Sequence, residues 1–223
     1  RVQLTIPKSS MFSTGTSSFD MERIIPELLS CEIPLENETL ELHLARYRFA
    51  ARFVAGRRVL DIACGVGYGS ALLRATGASS VLGVDLSPDA IHYANGHYAV
   101  AGVTFAQADA TTFEPHQQFD AIVSLETIEH LPDAAGFVKR LVSIAAPGGI
   151  IVGSVPITLS SDVNPYHLHD FSARSFRELV ERHGLRVIDE LHQLQPFSPW
   201  GLVRARRTSQ RNYQLRKGFP AYY

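Results

Sequence analysis

The stretch Val59-Leu60-Asp61-Ile62-Ala63-Cys64-Gly65-Val66-Gly67-Tyr68-Gly69-Ser70 decides the fold of this chain. An apolar segment, typical of a strand buried on both faces of a parallel sheet, runs directly into a turn rich in glycine. Glycine lets the backbone approach a ligand closely, and a glycine-rich turn after a strand commonly cradles a nucleotide. The stretch therefore predicts a nucleotide-binding α/β domain.

Asp61 narrows the choice of ligand for this turn. A dinucleotide would set its pyrophosphate against the turn and the N-terminus of the next helix, where a carboxylate would repel it. A ligand that carries a cation is favoured instead. S-adenosylmethionine, which has both a sulfonium and an ammonium group, is such a ligand.

A second strand over residues 80–85 ends in Asp85, twenty residues after Gly65. An acid at this distance is the expected partner for ribose hydroxyls. From this point the chain resembles the class I S-adenosylmethionine-dependent methyltransferases. Four motifs at the expected spacing carry the resemblance: residues 61–67, 83–87, 107–110 and 119–124. Ala63 stands where the family usually has glycine, and this small replacement leaves the resemblance intact.

The resemblance implies S-adenosylmethionine as cofactor and S-adenosylhomocysteine as product. Gly65 and Gly67 would contact the methionyl part, Asp85 the ribose diol, and Asp109 the adenine amino group. The cofactor-binding residues predicted in this way are Arg46, Tyr47, Asp61, Ala63, Cys64, Gly65, Gly67, Tyr68, Asp85, Leu86, Asp109, Ala110 and Leu125.

Residues 40–54 have the periodicity of an amphipathic helix, and related enzymes often place a helix here as a lid over the methionine. Arg46 could then bind the methionyl carboxylate through two parallel hydrogen bonds, as a fork. Tyr47 could offer its ring face or its hydroxyl to the cofactor. The alternative is a solvated helix face with a tyrosine in the core.

Two clusters compete for the role of acceptor site. The first follows the fourth predicted strand and contains Glu126 and His130; the alternative for it is a helix start with an inward-packed histidine. The second, residues 164–171, lies in a long loop and contains His167. A hydroxyl acceptor needs a base, so the predicted catalytic residues are His167, His130 and Glu126. His167, His169 and Asp170 could also bind a metal, but the sequence assigns none, since such spacing is common by chance.

Strand and helix patterns alternate along the chain, which predicts a doubly wound α/β fold. Its mostly parallel, Rossmann-like sheet would carry helices on both faces. Three segments are expected: an N-terminal arm or cap over residues 1–38, the methyltransferase domain over 39–206, and a basic C-terminal tail over 207–223. Later strands are expected at residues 103–108, 121–125, 150–155, 185–191 and 202–206.

The bulk composition excludes several classes of protein. A net charge of −1 gives no general electrostatic reason to expect nucleic acid as a partner. No apolar run approaches 18 residues, so we expect no membrane span. The two cysteines are far apart, which favours a reducing, cytoplasmic setting. A homo-oligomer is compatible with this sequence.

Together these patterns predict a methyltransferase that acts on a small molecule or saccharide, similar to bacterial enzymes of glycan and secondary-metabolite pathways. The histidines favour O-methylation. One alternative is methylation of a macromolecule, RNA or protein; another is a protein that binds S-adenosylmethionine without catalysis. Asp61 disfavours a reductase that binds NAD.

Overall fold

The centre of the protein is a parallel sheet of five strands in the order β3-β2-β1-β4-β5. The computed structural model describes residue 26 and residues 34–157 and 166–193. The strands are β1 (Arg58–Ile62), β2 (Ser80–Asp85), β3 (Val103–Gln107), β4 (Phe119–Leu125) and β5 (Ala145–Ser154). The helices are α1 (Pro34–Ala51), α2 (Tyr68–Ala75), α3 (Pro88–His97), α4 (Ala134–Ile144) and α5 (Ala173–Arg182), with a 3₁₀ turn at Ile128–His130.

The sheet buries apolar side chains on both faces because successive residues of a strand point in opposite directions. In β1, Leu60 and Ile62 join a core that includes α4, whereas Val59 joins a core that includes α1 and α2. Helices therefore cover both faces. This arrangement confirms the doubly wound, parallel α/β fold that the sequence predicts.

Local signals in the sequence set the starts of three helices. The Ser87 hydroxyl accepts from the Ala90 N–H at the start of α3, where Pro88 occupies the first turn. Asp133 caps α4 in the same way through the Gly136 N–H. Ser172 starts α5 with a reciprocal capping box.

Some elements differ from those predicted. Helix α1 begins at Pro34, earlier than residue 40, and β5 extends back through the turn at residues 147–149 with a register shift against β4. No strand forms at residues 185–191, so that prediction was wrong. In this segment Asp189 and Glu190 form ion pairs with Arg52 and Arg177. The predicted edge strand at 202–206, the basic tail, and residues 1–25 and 27–33 of the arm lie outside the described residues.

The packing of α2 against α1 depends on Gly69. A Cβ at this position would lie 1.9 Å from Cζ of Tyr47, so the Tyr47 ring would have to move. We expect Gly69→Ala to lower the free energy of unfolding by about 1–3 kcal/mol, as overpacking does. Urea unfolding, monitored by circular dichroism, measures this change in the free energy of unfolding.

Gly96→Ala is the matched control, since a Cβ at Gly96 in helix α3 meets nothing within 4 Å. Alanine is the better helix former, so this variant should be as stable as wild type or more so, by about 0.4–1 kcal/mol. Equal stability of the Gly69 variant and wild type would contradict this account of the α1–α2 contact.

Candidate active site

The order in which the chain adds strands to the sheet reverses at β1. This strand pairs with β2 on one side and with β4 on the other. Ligands of doubly wound sheets bind outside the carboxyl ends of the strands at such a point. The polar residues that follow β1, β2 and β4 therefore share one edge of the sheet.

The glycine turn after β1 needs its glycines. Gly65 and Gly67 have φ values of 57° and 91°, in the left-handed region that favours glycine. A Cβ at Gly67 would also lie 2.7 Å from the Phe105 ring. Ala63 has φ 61°, also in the left-handed region that favours glycine.

Asp85 ties the glycine turn to the end of β2. One of its carboxylate oxygens accepts from the Gly65 N–H at 2.9 Å, and the other accepts from the Ser87 N–H at 2.9 Å. The side chain is buried, at 7% exposure, beside the turn. The carboxylate is thus fixed before any ligand arrives.

Asp61 is buried in contacts with other protein groups. It accepts a hydrogen bond of 2.6 Å from the Ser70 hydroxyl and longer ones of 3.3 Å from the Tyr47 hydroxyl. Burial raises the pKa of Asp61 to about 7, although both hydroxyl contacts act in the opposite direction. Contact between Asp61 and the cofactor stays a prediction.

Helix α1 brings a buried arginine to this edge of the sheet. The Arg46 Nε donates to the Gln193 side chain at 2.9 Å, and an outer nitrogen lies 3.7 Å from the Glu126 carboxylate. Gln193 also donates to the backbone carbonyl of Leu42. Arg46 is therefore held at the end of β4. It is buried, which excludes the solvated helix face that the sequence left open as an alternative.

Tyr47 and Tyr68 pack edge to face, with ring centroids 5.8 Å apart. Tyr47 belongs to the core, and the Tyr68 hydroxyl lies 3.2 Å from Nδ1 of His43. Burial, together with the charge of Arg46, lowers the pKa of His43 to about 4. Cys64 is buried as well, and burial raises the pKa of its thiol.

The residues predicted for the adenine end lie farther along the same edge. Asp109 is exposed and accepts from the backbone N–H and hydroxyl of Thr111, which lower its pKa. Ala110 is half-buried, and Leu86 is exposed beside Asp85. Leu125 is half-buried at the end of β4.

Glu126 follows β4 in a strained conformation, with φ 49°. Its backbone N–H donates to Ser154 of β5, and the Ser154 hydroxyl donates to the Glu126 carboxylate at 2.6 Å. Residues held in sparsely populated conformations cluster at functional sites.

The two acceptor clusters of the sequence form one cluster in the structure. The His130 and His167 rings meet edge to face, with centroids 4.7 Å apart. The Glu129 carbonyl accepts from the backbone N–H groups of Leu168 and His169. The described part of the loop is thereby fixed to the segment after β4.

The ring nitrogens of the three histidines have different surroundings. His130 Nδ1 lies 3.0 Å from the Tyr166 carbonyl, and His169 Nε2 lies 2.8 Å from the Leu131 carbonyl. Burial and the neighbouring His130 lower the pKa of His167 to about 4. His167 is therefore neutral near pH 7.

Among the described residues, His167, His169 and Asp170 do not form the metal-binding group that the sequence left open. Glu129, His130 and His167 do, with their ligand atoms within 4.8 Å of one another. Glu129 is fully buried.

Several residues of the site were not predicted from the sequence. Ser70, His43, Ser154 and Gln193 all contact predicted site residues. Gln193 is 147 residues from Arg46, and no local pattern indicates their contact.

Comparison with known proteins agrees with this fold. A family model described as a methyltransferase domain matches residues 36–190. A protein of Mycolicibacterium smegmatis named "Probable S-adenosylmethionine-dependent methyltransferase" is 32% identical over 76% of this chain and 66% of its own length. The ubiquinone biosynthesis O-methyltransferase of Methylococcus capsulatus is 30% identical over 67% of this chain and 60% of its own.

Among solved structures, the magnesium protoporphyrin IX methyltransferase of Synechocystis with bound S-adenosylhomocysteine matches the fold with a TM-score of 0.59. The identity is 18%, over 74% of this chain and 83% of that one.

The fold is that of the class I S-adenosylmethionine-dependent methyltransferases, a class whose cofactor is S-adenosylmethionine. The chain belongs to the methyltransferase domain family, which confirms the sequence-based prediction. It spans slightly less than two thirds of the length of the first curated relatives it matches. Within the described residues, no helix combines the length and the apolar character that a membrane crossing requires.

The raised pKa of Asp61 gives a prediction about stability. Between an unfolded pKa near 4 and the folded pKa of about 7, the folded state keeps a proton that the unfolded state loses. The free energy of unfolding should therefore fall as pH rises through this window, by up to about 1.4 kcal/mol per pH unit. Asp61→Asn should remove this slope.

Urea unfolding of the wild type and Asp61→Asn at several pH values from 4 to 8 measures the difference. Asp89→Asn, at an exposed acid in the first turn of α3, is the control and should keep the wild-type slope. Parallel curves for wild type and Asp61→Asn would contradict the raised pKa.

Proposed function

We propose that this protein transfers a methyl group from S-adenosylmethionine to a hydroxyl of a small molecule or saccharide. The observation that carries the proposal is the pairing of His130 with His167 at the end of β4. Because β4 is the neighbour of β1, this pair shares the sheet edge with the glycine turn. The relative named a ubiquinone biosynthesis O-methyltransferase also supports a hydroxyl acceptor.

The cofactor would lie across the ends of β1, β2 and β4. Gly65 and Gly67 would let the methionyl part approach the backbone, and Asp85 would accept from the ribose hydroxyls. Arg46 would face the methionyl carboxylate, to which a guanidinium can bind as a fork. Asp109, Ala110 and Leu86 would line the adenine end, and Leu125 the sulfonium end.

Methyl transfer from a sulfonium is an in-line displacement. The acceptor oxygen forms a bond to the methyl carbon while the bond between carbon and sulfur breaks, and S-adenosylhomocysteine leaves. A hydroxyl acceptor must also lose its proton, and a neutral imidazole is the commonest group that takes it. We propose His167 as this base, with His130 beside it and Glu126 orienting the acceptor.

Two alternatives have a basis in the sequence. An enzyme that methylates RNA or protein would be expected to present a basic face, and the net charge of −1 disfavours it. A protein that binds S-adenosylmethionine without turnover would have no need for the ordered histidine pair.

The proposal includes a cytoplasmic setting, and glycan or secondary-metabolite biosynthesis as the pathway. The buried, free Cys64 is compatible with a reducing compartment.

Asp85 provides a test of cofactor binding. Asp85→Ala removes the acceptor for the ribose hydroxyls, which should weaken binding by about 1.5–3 kcal/mol, the range for charge-assisted hydrogen bonds. Calorimetry with S-adenosylhomocysteine and its 2′-deoxy analogue measures the contribution of the ribose hydroxyl to binding. The wild type should bind S-adenosylhomocysteine, the ribose form, more tightly than the analogue, and Asp85→Ala should not.

The control is Asp89→Ala, which should bind both ligands as the wild type does. Because Asp85 also holds the Gly65 N–H, each variant is first checked for wild-type unfolding behaviour. An equal preference for the ribose form in Asp85→Ala and wild type would remove Asp85 from the ribose site.

The base is tested with a panel of paired acceptors that differ only in a hydroxyl or an amine. His167→Gln should lower kcat for the hydroxyl acceptor by about 10²–10⁴, the usual contribution of a general base. The affinity for S-adenosylmethionine should not change. The matched control is His92→Gln, at an exposed histidine of α3.

Wild-type turnover of hydroxyl acceptors by both His167→Gln and His130→Gln would refute histidine catalysis. Turnover of the amine acceptors alone by the wild type would point to N-methylation by proximity.

A further inference from the structure

We infer that Glu129, His130 and His167 form a binding site for a divalent transition-metal ion of the zinc class. One carboxylate oxygen and two imidazole nitrogens lie within 4.8 Å of one another. Imidazole and carboxylate are suitable zinc ligands, and sites with three protein ligands leave a fourth position open.

His130 is oriented as metal-binding histidines usually are. Its Nδ1 lies 3.0 Å from the Tyr166 carbonyl, and because a carbonyl only accepts, Nδ1 carries the proton of this hydrogen bond. The other nitrogen, Nε2, then faces the Glu129 carboxylate at 4.0 Å. A metal-ligating histidine almost always donates its other N–H to a carbonyl or carboxylate in this way.

A cation between the Glu129 oxygen and the His130 Nε2 would interact favourably with both atoms. A proton can bridge only these two atoms, whereas a metal ion can also bind the nitrogen of His167. Glu129 is fully buried, so a cation at its carboxylate would also offset the cost of burying its charge.

The backbone fixes the relative positions of the three residues. Two N–H groups, of Leu168 and His169, donate to the carbonyl of Glu129 itself. Four-coordinate zinc would place its ligand atoms about 3.3–3.5 Å apart, given bonds of about 2.0–2.2 Å. The longest of these separations would have to shorten by up to about 1.5 Å on metal binding, through rotation of the side chains.

The metal site has a consequence that rests on the proposed function. A nitrogen that binds a metal cannot also accept a proton from an acceptor hydroxyl. We therefore expect a bound metal ion to suppress methyl transfer to hydroxyl acceptors.

The binding experiment uses the full chain, free of any polyhistidine tag and stripped of metal. Co²⁺ is titrated in while the visible absorption of the ion is recorded, and Zn²⁺ is then added as competitor. We expect one equivalent of Co²⁺ with the intense visible band of a four-coordinate site, and its displacement by Zn²⁺.

Glu129→Gln, His130→Ala and His167→Ala should each lower the Co²⁺ affinity by at least about 100-fold, since even residues behind the ligands contribute 10–100-fold. His92→Ala, at an exposed histidine, should bind as the wild type does. The two histidine variants keep the test valid if Glu129→Gln fails to fold, because both side chains are only partly buried.

Absence of the visible band, or equal affinity in wild type and all three variants, would overturn the metal site. Turnover of hydroxyl acceptors is measured separately with and without saturating Zn²⁺. Loss of turnover would support competition between the metal ion and the proton of the acceptor hydroxyl for the same histidine nitrogen. Unchanged or increased turnover with Zn²⁺ bound at this site would refute the histidine base and leave the metal site standing.

Discussion

The pairing of β1 with β2 on one side and β4 on the other is the constraint on which the site depends. Because all three strands are parallel, their carboxyl ends meet at one edge of the sheet. The chain must leave β1 and β4 toward opposite layers of helices, which opens a crevice between them. The glycine turn, Asp85 and Glu126 all belong to this edge.

Backbone strain is concentrated at the same edge. Among the described residues, Ala63 and Glu126 are the non-glycine residues with left-handed φ, and they follow two neighbouring strands. Such conformations cost about 1–3 kcal/mol each and persist where surrounding contacts enforce them. Ser154 enforces the conformation of Glu126 with hydrogen bonds to both its backbone and its carboxylate. Rigid local geometry of this kind suits a reaction that depends on alignment of donor and acceptor.

The acceptor side is built by hydrogen bonds between segments that are distant in sequence. The carbonyls of Glu129 and Leu131 and the ring of His130 connect the turn after β4 to residues 166–169. This joins a buried carboxylate to two imidazoles. The same three groups can take a proton or bind a cation, and which of these occurs depends on what fills the space between them.

The sequence by itself determined the fold and the cofactor class, because both rest on local patterns. Apolar strands, the glycine turn and Asp85 lie within 27 residues of one another, and each is read from its neighbours in the chain. The caps at Ser87 and Asp133 are local as well. The strand predicted at residues 185–191 does not form, because a strand needs a neighbouring strand to pair with and a local pattern cannot specify one.

Only the tertiary structure decided how the site residues combine. Tyr47 is a core residue that contacts Asp61, Arg46 is held by Gln193, and the two histidine clusters are one. Glu129 became a candidate ligand only through its burial beside both histidines. These contacts join residues between 14 and 147 positions apart, and burial and long-range hydrogen bonding depend on the packing of the whole chain, which no local pattern of residues encodes.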